Sequence, residues 1–233
     1  MRDPHEAWSV RTSRRARRLS VRVYPGGRVE IVAPPGASAT VVQRFIGQHR
    51  HWIDQRVRDF AALAPLDTEL PERIELPAIG GRFAVDYLRA PGAPRVERSA
   101  PEQLLVAGAI DHRHAVAKVL RRWLADLAAQ HFAVQLRAIA AEFGFQFRRL
   151  QVRRQRTRWG SCSLSGTISL NMCLLFLEPA IARYLMIHEL CHTRHMNHSA
   201  RFWNLVAHCE PNYRQLDRTL TRSWRAVPWW MFG

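Results

Sequence analysis

Five consecutive residues, His188-Glu189-Leu190-Cys191-His192, set two imidazoles four positions apart with a carboxylate directly after the first. On a helix, positions i and i+4 differ by about 40° around the axis and about one turn along it, so the two side chains converge on one point. Two imidazoles there can hold a zinc ion. Glu189 falls about 100° from His188 and about 60° from His192, too far round for a third ligand and well placed to touch a water beside the metal. This arrangement is the pattern of a zinc hydrolase.

A catalytic zinc needs a third protein ligand. His195 lies about 20° from His188 around the axis but ~10 Å along it, out of reach of a shared ion while the helix continues. Asn197 is a residue at which the chain can fold back. His198 follows it, just before the helical pattern Phe202, Trp203, Leu205, Val206 and Cys209. His198 is therefore the preferred third ligand, with His195 and Glu210 as alternatives. Cys191 reads as a small buried packing residue.

The elements that must position these groups follow from periodicity. Glu178 and Pro179 open the motif helix, since proline suits the first helical position and negative charge suits the N-terminal dipole. Apolar residues from Ile181 to Cys191 surround this helix on almost all sides, which predicts burial. Buried His188, Glu189 and His192 then need compensation that a metal supplies. Residues 110–142 contain neither proline nor glycine and form a long helix, or two with a kink near Ala129, ended by Gly144. Between the two helices the expected strands are Phe145–Val152, Thr157–Ser163 and Thr167–Asn171, the last two joined across Ser165-Gly166.

The N-terminal part is different in texture. A basic run, Arg14–Arg18, leads into a hairpin of Leu19–Tyr24 and Val29–Val32 around Pro25-Gly-Gly27. Residues 39–63 form an amphipathic helix with the stripe Val42, Phe45, Ile46, His49, Trp52, Ile53, Arg56, Val57 and Phe60. Arg73–Leu76, Phe83–Leu88, Arg95–Glu97 and Gln103–Val106 suggest a small antiparallel sheet. The division is thus a β-rich N-terminal subdomain with one long helix, 1–108, and a catalytic domain, 109–233.

Composition bounds the rest. The 233 residues are 47% hydrophobic, enough for a proper core. No apolar run of 18 or more residues is present, and Met1–Ser20 lacks the apolar stretch of a secretory signal. The expectation is a cytoplasmic protein without a membrane segment. The four cysteines form no CxxC pair, which fits a reducing compartment. The net charge of +16 favours nucleic acid or nucleotides as a partner through an arginine-rich surface. Lys118 is the only lysine, however, and such a skew also follows from genomic base composition.

Four ordered blocks carry a resemblance: Thr157-Arg-Trp-Gly-Ser-Cys162, Gly166-x-Ile168-x-Leu170-Asn171, His188-Glu-Leu-Cys-His192 and Asn197-His-Ser-x-x-Phe-Trp203. Together with the N-terminal Arg18-Leu-Ser-Val-Arg-Val and Gly27-Arg-Val-Glu-Ile-Val-Ala-Pro-Pro-Gly36, the chain resembles the YgjP-like metallopeptidase family, which belongs with the SprT-like and other small zincin-fold metallopeptidases. The resemblance implies an α+β fold with a zincin-like catalytic domain: a long backing helix, a small sheet and the active-site helix. It also implies zinc held by His188, His192 and His198.

The chemistry expected is hydrolysis of a peptide or protein substrate. Glu189 takes the proton of the attacking water as general base and hands it to the leaving amine. Tyr213, His195 and Arg158 are the candidates for stabilising the oxyanion. Trp159 reads as core rather than substrate contact. In zincins the strand before the active-site helix commonly aligns an extended peptide, which puts Thr167–Asn171 in that role. The rival readings are a zinc-dependent nucleotide or phosphoanhydride hydrolase, a nucleic-acid-associated protease, and a zinc-stabilised binding protein without turnover. The aromatic tail, Pro228–Gly233, is expected to pack back on the body.

Overall fold

Each element forms where the apolar spacing has its period. In the computed structural model, residues 8–14, 16–23, 29–61, 70–155 and 157–232 are described, with side chains left aside at 59–61. These residues build five α-helices and three small sheets, an α+β fold. They fall into two compact units, one within residues 1–68 together with Phe232, the other within 69–231.

The first unit holds β1 (Trp8–Thr12), β2 (Ser20–Val23), β3 (Val29–Ala33) and α1 (Ala39–Ala61). The two arms of the expected hairpin pair antiparallel, Ser20 opposite Val32 and Val23 opposite Val29. The turn Pro25-Gly-Gly27 lies outside the described residues, as do positions 62–63 of the expected helix. A strand not anticipated, β1, runs parallel to β3 and makes β3 the central strand. On α1, Val42 and Ile53 are buried, whereas Trp52 is 46% exposed, so the apolar stripe is only partly covered.

The second unit opens with β4 (Arg73–Leu76), β5 (Gly81–Arg89), β6 (Arg95–Ala100) and β7 (Gln103–Gly108), in the order β4-β5-β7-β6. The expectation of an antiparallel sheet is corrected here. β5 and β7 run parallel, because β6 comes between them in sequence and pairs on the far side of β7.

The long helix α2 (Arg113–Phe143) is one continuous element, without a break at Ala129. Its stripe of Val116, Leu120, Leu124, Ala128, Phe132, Leu136 and Ile139 is buried along the whole length. A fully buried Leu or Phe contributes about 1.5–3 kcal/mol, and this row is what makes α2 the backing of the unit. Gly144 stops it with φ of +65°, its N–H bonding Ala141 while Phe145 N–H bonds Ala140. This is a Schellman ending, which needs a residue at ease in the left-handed region.

Three strands follow: β8 (Arg149–Arg153), β9 (Gly160–Cys162) and β10 (Thr167–Asn171). β9 and β10 form the expected hairpin, and β8 joins parallel to β10, giving the order β8-β10-β9. Then come α3 (Pro179–Cys191), α4 (Ala200–Cys209) and α5 (Tyr213–Arg222). The C-terminal aromatics pack on the body as expected. Trp230 and Met231 are buried, and their carbonyls accept from Arg121 at 2.7 Å and Arg154 at 2.9 Å. Among the described residues no helix is long and apolar enough to cross a membrane.

Candidate metal centre and active site

α3 is buried on nearly every face, as its composition demands, with Tyr184, Met186, Ile187, Leu190 and Cys191 fully enclosed. It ends at Cys191, earlier than a break at Asn197 would require, and His192 is its cap. The turn beyond is held locally: Thr193 Oγ1 donates to the Leu190 carbonyl at 2.7 Å, and His195 N–H to Cys191 at 3.0 Å. Arg194 leaves this turn and donates to the Gly144 carbonyl at 2.7 Å, its guanidinium 4.6 Å over the Phe145 ring. A cation there suits the C-terminal end of α2. The reversed chain then delivers His198 immediately before α4.

His188, His192 and His198 come together: each offers a ring nitrogen, and these atoms all lie within 4.8 Å of one another. His188 Nε2 and His198 Nε2 are 3.2 Å apart. Two nitrogens bound tetrahedrally at the usual zinc distance stand about 3.3 Å apart, so the donor set fits one such ion. The His192 Nδ1–H donates to the His195 carbonyl at 3.0 Å, which leaves its Nε2 lone pair for the centre. His195 therefore serves through its backbone. Glu210 is also outside the cluster, its carboxylate accepting from the Asn212 N–H at 3.2 Å.

Aromatic rings hem the imidazoles in. Phe202, fully buried on α4, stacks on His192 with centroids 4.4 Å apart and lies 5.0 and 4.8 Å from His188 and His198. Trp203 stacks on His198 and Tyr213 on Trp203. Burial, with the neighbouring His192 and His198, pushes His188 down to about 3, and burial likewise holds His192 low. Both rings are neutral at pH 7, the form that binds a metal.

Glu189 is 4% exposed, and its Oε2 has no hydrogen-bond partner among the described residues. Burial raises its carboxyl to about 8, against the opposing pull of Arg158. Its side chain lies against Gly160 of β9: a Cβ at that glycine would meet Oε1 at 2.5 Å and Cγ and Cδ at 2.9 Å. The loop before β9 is held by Asn171, whose side-chain amide donates to the carbonyls of Gln155 and Arg158 at 2.8 and 3.0 Å. Trp159, in that loop, is buried and stacks on Trp224 with centroids 4.0 Å apart, a core position as expected.

The strand expected to align substrate is corrected. β10 is the central strand, with β8 on one side and β9 on the other, so it has no free edge to offer. The edge strand beside Glu189 is β9. Sequence reasoning assigned no role to Gly160, Asn171 or Phe202, although each stands in a quoted block. Tyr184 was detectable as the residue four before His188, and so on its face of the helix.

A three-histidine cluster built from a helix and the turn beyond it, with a buried carboxylate at its side and a longer helix behind, is compatible with a metallopeptidase of zincin-like fold. The family described as "YgjP-like, metallopeptidase domain" matches residues 17–223, and the chain belongs to it. No curated protein matches the chain. Among solved structures, the crystal structure of the metallopeptidase zymogen of Pyrococcus abyssi abylysin is similar at 28% identity, covering 40% of this chain and 95% of that one, with a TM-score of 0.36. The protein is a metallopeptidase, its substrate a peptide or protein.

Proposed function

We propose that this metallopeptidase is zinc-dependent, with His188, His192 and His198 as the ligands and Glu189 as the general base. The observation that carries the reading is the unpaired Oε2 of a buried Glu189 beside three converging imidazoles, two of them, His188 and His192, held neutral by burial. Zinc in such a site supplies Lewis acidity, polarising a carbonyl and acidifying a water. The borderline-soft, all-imidazole donor set suits zinc rather than a hard, oxygen-seeking cation.

The remaining steps belong to the protein. The free edge of β9 takes an extended substrate by backbone hydrogen bonds and lays its scissile carbonyl toward the histidines. Glu189 accepts the proton of the attacking water at its carboxylate, then returns it to the nitrogen of the leaving amine. Burial, which raises this carboxyl in the metal-free protein, favours its holding the proton between the two halves of the task. Arg158, exposed and close enough to lower the Glu189 pKa, is one candidate to stabilise the oxyanion, beside Tyr213 and the ring of His195.

Residues 109–233 carry this chemistry, with the β-rich 1–108 as an accessory region. That functional boundary differs from the compact units, since β4–β7 belong to the same unit as the site. Four free cysteines fit a reducing, cytoplasmic setting. The charge of +16 supports an additional contact with nucleic acid or nucleotides, for which binding to single-stranded DNA should fall steeply with salt; a flat response would remove it.

The deciding experiment pairs metal analysis with turnover of a peptide library. Glu189→Gln is expected to keep one zinc per chain and lose activity by at least ~10³-fold, and His198→Ala to lose zinc while His195→Ala keeps it. Full activity in Glu189→Gln, or full zinc in His198→Ala, would overturn the assignment.

A further inference from the structure

His192 has its Nδ1–H engaged by a backbone carbonyl. His188 has a different arrangement behind it. Tyr184 is fully buried one helical turn before His188, and its hydroxyl stands 3.5 Å from His188 Nδ1 and 2.8 Å from Asp217 Oδ1 on α5. A phenol has one proton to give, and an aspartate carboxylate can only accept. The contact with Asp217 is the shorter and charge-assisted one, so it takes the phenol proton. The face of the phenol oxygen left toward His188 is then a lone pair, and the only hydrogen bond available there runs from His188 Nδ1–H to the Tyr184 oxygen.

We infer that Tyr184 and Asp217 act as a directional relay, His188 Nδ1–H to Tyr184 oxygen and Tyr184 O–H to Asp217, that holds His188 in the tautomer whose Nε2 lone pair faces the metal. The inference rests on the zinc-centre reading for its purpose, not for its geometry. Both are positioning residues: Tyr184 touches the ligand histidine, and Asp217 acts through Tyr184. Without the relay, His188 is free to place its proton on Nε2, where it blocks coordination. Asp217 also makes α5 part of the centre, although no residue of that helix belongs to the histidine cluster.

The test is made on the full chain, first metal-free near pH 7.5, by the ¹⁵N resonances of the His188 ring. Wild type is expected to show the Nδ1–H form. Tyr184→Phe and Asp217→Ala should both move His188 toward Nε2–H, the second because an unclaimed phenol proton turns to Nδ1. Asp217→Asn keeps an acceptor for the phenol and should preserve the wild-type form. Zinc affinity, by chelator competition, is expected to fall about 10- to 100-fold in Tyr184→Phe and Asp217→Ala, and no further in the double variant.

An unchanged His188 tautomer in Asp217→Ala, with or without lost thermal stability, would make the pair a strut between α3 and α5 and overturn the relay. Should Tyr184→Phe fail to fold, the Asp217→Ala and Asp217→Asn pair still decides. A wild type that showed the Nδ1–H form yet bound no zinc would strike at the metal centre and leave the relay standing, so the two failures are distinct.

Discussion

A methyl group at position 160 would lie 2.5 Å from Glu189 Oε1 and 2.9 Å from its Cγ and Cδ. Glycine at this point of β9 is needed for space, since its backbone is not in the left-handed region. Gly160→Ala should push the carboxylate aside without touching the three histidines. Turnover is expected to drop by about 10²-fold while bound zinc stays at one per chain. Activity within twofold of wild type would show that Glu189 has room to spare.

Glu189 also sets a pH dependence in the metal-free protein. Its folded pKa of about 8 stands above its ordinary 4.5, so between these values the folded chain holds a proton that the unfolded chain has released. Stability from this source is present below about 4.5 and is lost as pH rises through about 8. His188 acts in the other direction, from 6.5 down to about 3, and costs stability as pH falls below 6.5. That cost is common to wild type and Glu189→Gln and drops out of their difference. Metal-free Glu189→Gln should therefore match wild type near pH 5 and exceed it by up to several kcal/mol at pH 8.5, as read by denaturant titration. A constant difference across that range would contradict the buried, proton-holding carboxyl.

At the scale of elements, the site depends on where α3 stops. Arg194 ties the turn after it to the last carbonyls of α2, and through that turn fixes both the His195 carbonyl and the approach of His198. Arg194→Ala is expected to cost roughly 1–2 kcal/mol in thermal unfolding and to weaken zinc binding in step. Unaltered zinc affinity would separate the turn from the centre.

How much of this could be read beforehand differs by element. The two motif histidines, His198 beyond the reversal, α2 with its Gly144 ending and the β9–β10 hairpin are all local patterns, set by spacing along one stretch of chain. The parallel pairings of β5 with β7 and β8 with β10 join segments far apart in sequence and leave no periodic trace. α5 went unforeseen because it offers few apolar residues, so the contribution of Asp217 had no signal at all. Tyr184 had one, its position a turn before His188, but a buried tyrosine on an apolar helix reads first as packing.

For the whole molecule, the family match spans residues 17–223 and thus reaches from the first sheet through α5. The part of the chain before position 69 forms its own compact unit, with β3 central and a partly covered α1. Its partly exposed apolar stripe contrasts with the unbroken burial of α2.

Substrate pairing along the edge of β9, as proposed, would govern what such an enzyme can see. A backbone that pairs with Gly160–Cys162 has to surrender its own internal hydrogen bonds over the same span, which a helix or an interior strand of a folded target cannot do. Proline at a pairing residue lacks the N–H and is rejected there as well. Selection would then work through the folded state of the target more than through its side chains, and would place the protein among readers of loosened chain. The same polypeptide offered native and denatured should be spared in the first form and cut in the second, and equal cutting of both would rule out recognition along this edge.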